Sequence, residues 1–214
     1  MTMKLNSHNW TLNLAAALAL VWAAQGADTV RYTAQPQGSK VTMDGTSTIH
    51  DWTVEGKIIG GFFEAAAAWE TDKSLKTAMT PPPKAEVTIP IRTLKSGKER
   101  MDEIMQEAMK AKENPLIRFK LAEMKIKGDV PASGTPVKFD TKGELTVSGV
   151  TKPCDMEVTM DRLEDGKLKF SATKELKMTD FGIAPPNPNI GGVGIKTGDE
   201  IIIKFEWVVA AKKS

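Results

Sequence analysis

The stretch Gly143 to Val158, GELTVSGVTKPCDMEV, decides the fold class. Apolar residues alternate with polar ones on both sides of a Gly-Val-Thr-Lys-Pro segment; they are Leu145, Val147, Cys154, Met156 and Val158. A two-residue period puts one face of each segment against a core and the other in water, as in antiparallel strands. The Gly149–Pro153 segment indicates a chain reversal. The stretch therefore predicts two paired strands with apolar inner faces.

The same period recurs along the chain from Arg31 and is clearest between Ile201 and Val209. Turn signals rich in glycine, proline and aspartate separate eight or more such runs, a spacing typical of a β-sandwich or a β-barrel. The alternation changes phase after Leu121, which predicts a bulge near Ala122. The sequence therefore predicts an all-β, antiparallel domain.

One segment, Ser96 to Pro115, has a helical period instead. Its apolar stripe consists of Met101, Ile104, Met105, Ala108 and Met109. We expect Ser96 to cap the helix and Pro115 to prevent its continuation. The methionine-rich stripe fits ordinary packing on a sheet, and it equally fits a surface that adapts to variable shapes.

The N-terminal residues 1–26 have the layout of a secretory signal peptide. Lys4 precedes an apolar run over residues 11–23, and small residues stand at Ala24 and Gly26. The alternative is an uncleaved anchor. We expect a single domain over residues 27–214 in a periplasmic or secreted protein. The chain has 29 Lys and Arg against 27 Asp and Glu, without a basic stripe, which argues against nucleic-acid binding.

Little catalytic equipment is present in the sequence. Beyond residue 26 the chain contains one histidine, His50, and one cysteine, Cys154, too few for a zinc or haem site built from these residues. No Gly-x-Ser-x-Gly motif occurs. We expect His50 to be a hydrogen-bonded core residue and Cys154 a small buried hydrophobe. Binding is therefore the leading class of function, and an enzyme that uses His50 is the weakest hypothesis.

A long segment, Thr179 to Gly198, is rich in glycine and proline, so we expect no regular element across it. Long irregular segments of compact domains often form lids or binding rims. Its apolar residues indicate that it covers part of the protein rather than lying free in solvent.

The sequence resembles the YceI-like family of exported lipid-binding proteins from about Arg31 to Val209. The motifs that carry the resemblance keep the family's order along the chain; they are Gly45–Trp52, Glu86–Ile91, the helical segment Lys98–Glu113 with Asn114–Phe119 after it, Gly143–Pro153 and Asp180–Ile183. Two features depart from many relatives: Arg100 is followed by Met101 rather than Asp, and residues 111–114 contain no aromatic ring.

The resemblance implies an extended, lipocalin-like antiparallel β-barrel of about eight strands, with the amphipathic helix near its mouth. It also implies a long-chain isoprenoid, a quinone or a similar amphiphile in the lumen as the bound group, with no other cofactor and no metal. A transient membrane contact and a homodimer are compatible with this picture. The alternative is an exported structural, interaction or stress-related barrel without a ligand.

Residue parity gives a set of candidate ligand contacts. They are Trp52, Val54, Phe62, Met101, Met105, Phe119, Leu145, Val147, Met156, Phe170, Phe181 and Phe205.

Overall fold

The computed structural model describes residues 28–71, 75, 79–129 and 135–211. The predicted signal peptide lies outside these described residues. The strands are β1 Thr29–Ala34, β2 Lys40–Ser47, β3 Trp52–Gly56, β4 Gly60–Ala66, β5 Lys84–Pro90, β6 Leu116–Ile126, β7 Val137–Val147, β8 Val150–Arg162, β9 Leu168–Lys177, β10 Asn189–Ile190, β11 Val193–Gly194 and β12 Thr197–Ala211. The helices are α1 Ala68–Thr71 and α2 Glu99–Ala108, and 3-10 turns cover Ile91–Thr93 and Met178–Phe181.

Eight of the described strands form a closed antiparallel barrel in the order β1-β4-β5-β6-β7-β8-β9-β12. The long strand β12 closes it. One edge of β12 pairs with β9, and the other pairs first with β2 and then, at Val209 to Ala211, with β1. The hairpin β2–β3 therefore extends the wall beyond β1 and β4. The sequence pattern left a sandwich and a barrel open, and this closure confirms the barrel.

The hairpin of β7 and β8, which contains the stretch Gly143–Val158, has a shorter turn than its sequence suggested. Ser148 and Gly149 form a two-residue turn with φ of 53° and 81°, and Val147 pairs directly with Val150. Positive φ at both central residues is the signature of a type I′ turn, whose twist matches that of the flanking strands. The expected reversal over Gly149–Pro153 was therefore wrong: Val150 to Pro153 already belong to β8.

The bulge in β6 and the helix α2 both form where the sequence pattern predicts them, but the helix starts and ends at other residues than expected. The register between β6 and β7 shifts between Leu121 and Glu123, which confirms the bulge at Ala122. The α2 helix begins after Lys98, whose side chain makes no capping bond, so the expected Ser96 cap was wrong.

The α2 helix ends at Ala108, several residues before Pro115, which was expected to stop it. Lys110 adopts a left-handed conformation with φ of 52°. Its N–H donates to the Glu107 carbonyl and the Ala111 N–H donates to the Gln106 carbonyl. These two bonds form a Schellman motif, which terminates the helix before proline becomes relevant.

The expected irregular segment contains more structure than predicted. After the 3-10 turn Met178–Phe181 the chain forms the small hairpin β10–β11 and then enters β12 at Thr197. The segment also packs inward, because Phe181 and Ile183 are buried.

Aromatic side chains close the end of the barrel opposite α2. The centre of the Phe63 ring lies 5.1 Å from that of Trp69 and 4.9 Å from that of Phe170. The Trp207 ring also joins the cluster, with its centre 5.9 Å from that of Phe170. Trp69 reaches this position from α1, and its carbonyl accepts a 2.6 Å hydrogen bond from Arg162. We call this cluster of Phe63, Trp69, Phe170 and Trp207 the aromatic plug.

Candidate functional site: an apolar cavity inside the barrel

A cavity of about 450 Å³ fills the barrel between the aromatic plug and α2. Inward-facing side chains of β2 to β9 and of β12 form its wall, and Met101, Ile104, Met105, Ala108 and Met109 of the α2 region cover its mouth. Along β12 the wall extends from Ile201 to Trp207, seven residues and therefore six steps, or about 20 Å at the rise of an extended strand. Ligand cavities of proteins commonly measure about 300–1,000 Å³, so this one is large enough for a slender guest.

Eleven of the twelve candidate contacts from parity line this cavity. They are Trp52, Val54, Met101, Met105, Phe119, Leu145, Val147, Met156, Phe170, Phe181 and Phe205. That these side chains contact a ligand stays a prediction.

The twelfth candidate, Phe62, was assigned to the wrong face. Its ring lies outside the cavity, under the guanidinium of Arg31 at 3.4 Å, a cation–π contact. Phe63 lines the cavity instead, opposite Ala85 of β5. Two aromatic residues in succession satisfy either parity, and the preceding Gly60-Gly61 pair carries no side chain that would have indicated the phase.

Parity could also have found wall residues that were missed. Met43, Val87, Ile89 and Ile203 alternate within β2, β5 and β12 and all line the cavity. Pro186 and Pro188 also reach the wall, from the segment that precedes β10. No period indicates them, because their position depends on how that segment folds back across the mouth.

His50 lies at the mouth of the cavity rather than in the core. It is exposed in the connection between β2 and β3, and its Nδ1 lies 2.6 Å from the carbonyl of Asp51. His50 alternates with Trp52 and Val54 in the sequence, but the strand begins only at Trp52, because the Ser47 hydroxyl donates to the His50 carbonyl and holds this connection. The expected core position of His50 was therefore wrong.

Few polar groups reach the cavity. Thr141 Oγ1 donates to the Met156 carbonyl at 2.9 Å, and Lys174 Nζ donates to the Asp155 carbonyl at 2.7 Å. Cys154 is buried, as expected, and burial raises the pKa of its thiol. Among the described residues that line the cavity there is no aspartate or glutamate.

Metal-binding clusters and membrane-spanning helices are both absent from the described residues. No group of three or more His, Cys, Asp or Glu residues in this part of the chain could hold a metal ion. Within the same residues, no helix is both long enough and apolar enough to cross a lipid bilayer.

The sequence profile of the YceI-like domain matches residues 32–209. The chain belongs to the YceI-like family. The match spans every strand of the barrel except the first residues of β1 and the last of β12. Among curated proteins, no sequence matches this YceI-like chain.

Two solved structures share the fold of this YceI-like protein. BcnA from Burkholderia cenocepacia superposes with a TM-score of 0.62 at 19% identity, over 83% of this chain and 99% of BcnA. A polyisoprenoid binding domain from Saccharophagus degradans, implicated in plant cell wall breakdown, gives a TM-score of 0.63 at 12% identity, over 86% and 99% of the two chains. At these identities the likeness shows the fold.

Proposed function

We propose that this YceI-like protein sequesters a long-chain isoprenoid, a quinone or a similar amphiphile in its barrel. The observation that carries the proposal is the continuous apolar cavity, closed at one end by the aromatic plug and covered at the other by α2. The description of the Saccharophagus degradans relative as a polyisoprenoid binding domain supports the same ligand class.

Physical chemistry favours an alkyl chain as the guest. Burial of each CH₂ group contributes about 0.8 kcal/mol. A chain of ten carbons therefore gains several kcal/mol, which the cost of ordering the ligand only partly offsets. The methionines of α2 suit such a guest, because flexible thioethers adapt to irregular apolar shapes.

We further propose that the protein acts outside the cytoplasm, periplasmic or secreted, as a carrier that takes up its lipid during transient contact with a membrane. The supporting observation is the layout of residues 1–26, which resembles a secretory signal peptide. We propose no catalytic role for His50.

The test is extraction of the purified protein. The full chain is expressed with its own N-terminal segment, purified without detergent and extracted with organic solvent, and the extract is analysed by mass spectrometry. We expect a long-chain lipid in a stoichiometric amount and processing after Gly26 in the intact mass. A barrel that yields no lipid, and that binds none when it is offered, supports the alternative of a ligand-free structural or interaction protein.

A further inference from the structure

A seam opens the barrel wall between β8 and β9. Residues Val150 to Met160 of β8 pair with β7, but β8 pairs with β9 only from Thr159 to Arg162. Beyond Ser171, the β9 strand pairs only with β12 in the described part of the chain. The wall between Val150–Val158 and Ala172–Lys177 therefore lacks a hydrogen-bonded ladder.

The seam is bounded at both ends. The pair Thr159–Ser171 closes it towards the aromatic plug. Towards the mouth, the 3-10 turn Met178–Phe181 packs against both β8 and β9, and Gly182 next to it approaches the Val150 side chain. The seam is therefore a slit in the side of the cavity, separate from the mouth under α2.

The sequence of β8 agrees with an unpaired edge. In an antiparallel strand the N–H and C=O of one residue point to the same neighbour, and this direction alternates along the chain. The Asp155 carbonyl points to the seam, because it accepts from Lys174, so the backbone of Pro153 faces the same way. Proline has no N–H and is confined to strand edges, which explains how Pro153 is tolerated in the middle of β8.

Lys174 crosses the seam from the inner face of β9. It shares the inward parity of Phe170 and Leu176 and pairs with Ile203, and all of these residues line the cavity. Its ammonium lies about midway along the wall, against the Asp155 carbonyl at 2.7 Å. An ammonium has three donors, so this one bond leaves two for another acceptor.

The charges around Lys174 favour an anion. The cavity wall contains no acidic residue among the described residues, and no ion pair of this part of the chain includes Lys174. On the outer face, Glu157 pairs with Lys127 and Lys138, while the Asp155 side chain is exposed. A cation beside an apolar cavity is stabilised most by a charge-assisted bond to an oxyanion.

The two other cations of the wall differ from Lys174. Lys98 and Arg100 are exposed at the mouth, and Arg100 already pairs with Glu103 at 2.9 Å. Lys174 is half-buried and lies deeper, next to Cys154 and Met156 of the seam.

We propose that Lys174 binds the oxyanion head group of a long-chain amphiphile, a carboxylate or a phosphate, at the seam between β8 and β9. The alkyl chain lies in the cavity, and the head group meets solvent through the slit rather than through the mouth. This proposal rests on the proposed function and specifies both the ligand class and the residue that selects it.

The test compares three probes of equal chain length: dodecanol, dodecanoate and dodecyl phosphate. Each is titrated into delipidated protein by isothermal calorimetry, below its micellar concentration. We expect the wild type to bind at least one of the two anions tenfold or more tightly than dodecanol, and the anion preferred distinguishes a carboxylate from a phosphate ligand. Lys174→Met should remove this preference and leave dodecanol affinity within twofold, whereas Lys174→Arg should retain most of it.

Lys98→Met is the matched control, because it removes one charge from the same cavity at the mouth. It should leave the preference for anions unchanged. If Lys174→Met does not fold, Lys174→Gln replaces it. In the wild type, dodecanoate should then protect Cys154 from alkylation at a concentration at least tenfold lower than dodecanol needs, which reports the same contact.

The outcomes separate this inference from the proposed function. Equal affinity of the wild type for all three probes, or an anion preference that survives in Lys174→Met, overturns the role of Lys174 while lipid binding stands. Failure to bind any of the probes overturns the role of Lys174, and it overturns the proposed function as well when the organic extract of the protein contains no lipid.

Discussion

The Ser96 hydroxyl donates to the Asp102 carboxylate at 2.7 Å, and the Ser96 backbone N–H donates to the same oxygen at 2.7 Å. Asp102 is buried at the start of α2, where Lys95 Nζ lies 3.6 Å from its second oxygen. Burial alone raises the pKa of this carboxyl, but the bonds from Ser96 and the charge of Lys95 outweigh it and lower the pKa below 3.8. The segment before α2 is thus tied to the helix that covers the cavity.

Asp102→Asn should destabilise the fold at neutral pH. Replacing a buried charged acceptor costs about 1–3 kcal/mol. The folded pKa lies below the unfolded value of 3.8, so the stabilisation is complete well above pH 3.8 and is lost as the pH falls through the folded pKa. Chemical denaturation at pH 7 and at pH 3 should therefore show a smaller difference between variant and wild type at the lower pH.

Glu103→Gln, on the exposed face of the same helix, is the control for Asp102→Asn. It should change the free energy of unfolding by about 0–1 kcal/mol. A difference for Asp102→Asn that is the same at both pH values would contradict the linkage.

Ser148→Ala should weaken the contact between α2 and the hairpin of β7 and β8. The buried Ser148 hydroxyl donates to the Met109 carbonyl at 2.9 Å, at the end of α2. Its removal leaves that carbonyl without this donor, at a cost of about 1–3 kcal/mol. Urea denaturation measures the loss, and hydrogen exchange should locate faster opening in α2. Unchanged exchange in α2 would show that the bond does not hold the helix over the mouth.

The local sequence pattern was sufficient to predict which side chains of the barrel strands face inward. The two-residue period of β7, β8 and β12 reports which side chains face inward, because the period of a strand is fixed by its geometry. The phase break at Ala122 similarly reported the bulge. Of the eleven candidates on the cavity wall, eight lie in strands and face inward for this reason, whereas Met101 and Met105 reach the cavity from α2 and Phe181 from a 3-10 turn.

Features that depend on tertiary contacts could not be predicted from the local sequence pattern. Ser96 looked like a helix cap, but its hydroxyl bonds Asp102, a choice that depends on how the segment before α2 is packed. His50 kept the parity of Trp52, yet the chain turns there because the Ser47 hydroxyl holds it. The seam between β8 and β9 is a property of pairing between strands, and only Pro153 gave a local indication of an edge.

Ala85→Phe should reduce the lipid recovered from the protein. Ala85 is buried on β5 and faces the cavity opposite Phe63, so a phenyl ring at this site enters the lumen. If the lumen has room, we expect at least a fivefold loss of extracted lipid with less than about 1 kcal/mol of destabilisation. If the interior is densely packed instead, the added ring should lower the free energy of unfolding by about 1–3 kcal/mol.

Ala122→Phe is the matched control for Ala85→Phe, since Ala122 is exposed at the bulge of β6. It introduces the same ring outside the barrel and should leave lipid recovery unchanged. Equal losses in the two variants would show that the ring acts on folding or export rather than by filling the cavity.

Glu157 should titrate far below a normal glutamate. Its carboxylate accepts from Lys127 at 2.7 Å and from Lys138 at 2.9 Å, and these bonds lower its pKa from 4.5 to about 2. Its ionised form therefore favours the folded state above pH 4.5, and this contribution is lost as the pH falls through about 2. Carbon-detected NMR titration of the side chain measures the value directly.

Salt provides the control for Glu157. Because the group is exposed, 1 M sodium chloride, with a Debye length of about 3 Å, should move its pKa towards 4.5. A normal value at low salt would show that the two lysines do not hold the carboxylate in solution.

Cys154 should report whether the cavity is occupied. It is the single cysteine of the chain, it is buried on the cavity wall, and burial raises the pKa of its thiol. The thiolate is the reactive form, so alkylation by N-ethylmaleimide at pH 7 should be slow in the native protein and at least tenfold faster in urea. Delipidation should accelerate the native reaction and added dodecanol should slow it again. Native rates that are identical with and without lipid would place the guest away from Cys154, and rapid alkylation in both states would contradict the burial of this thiol.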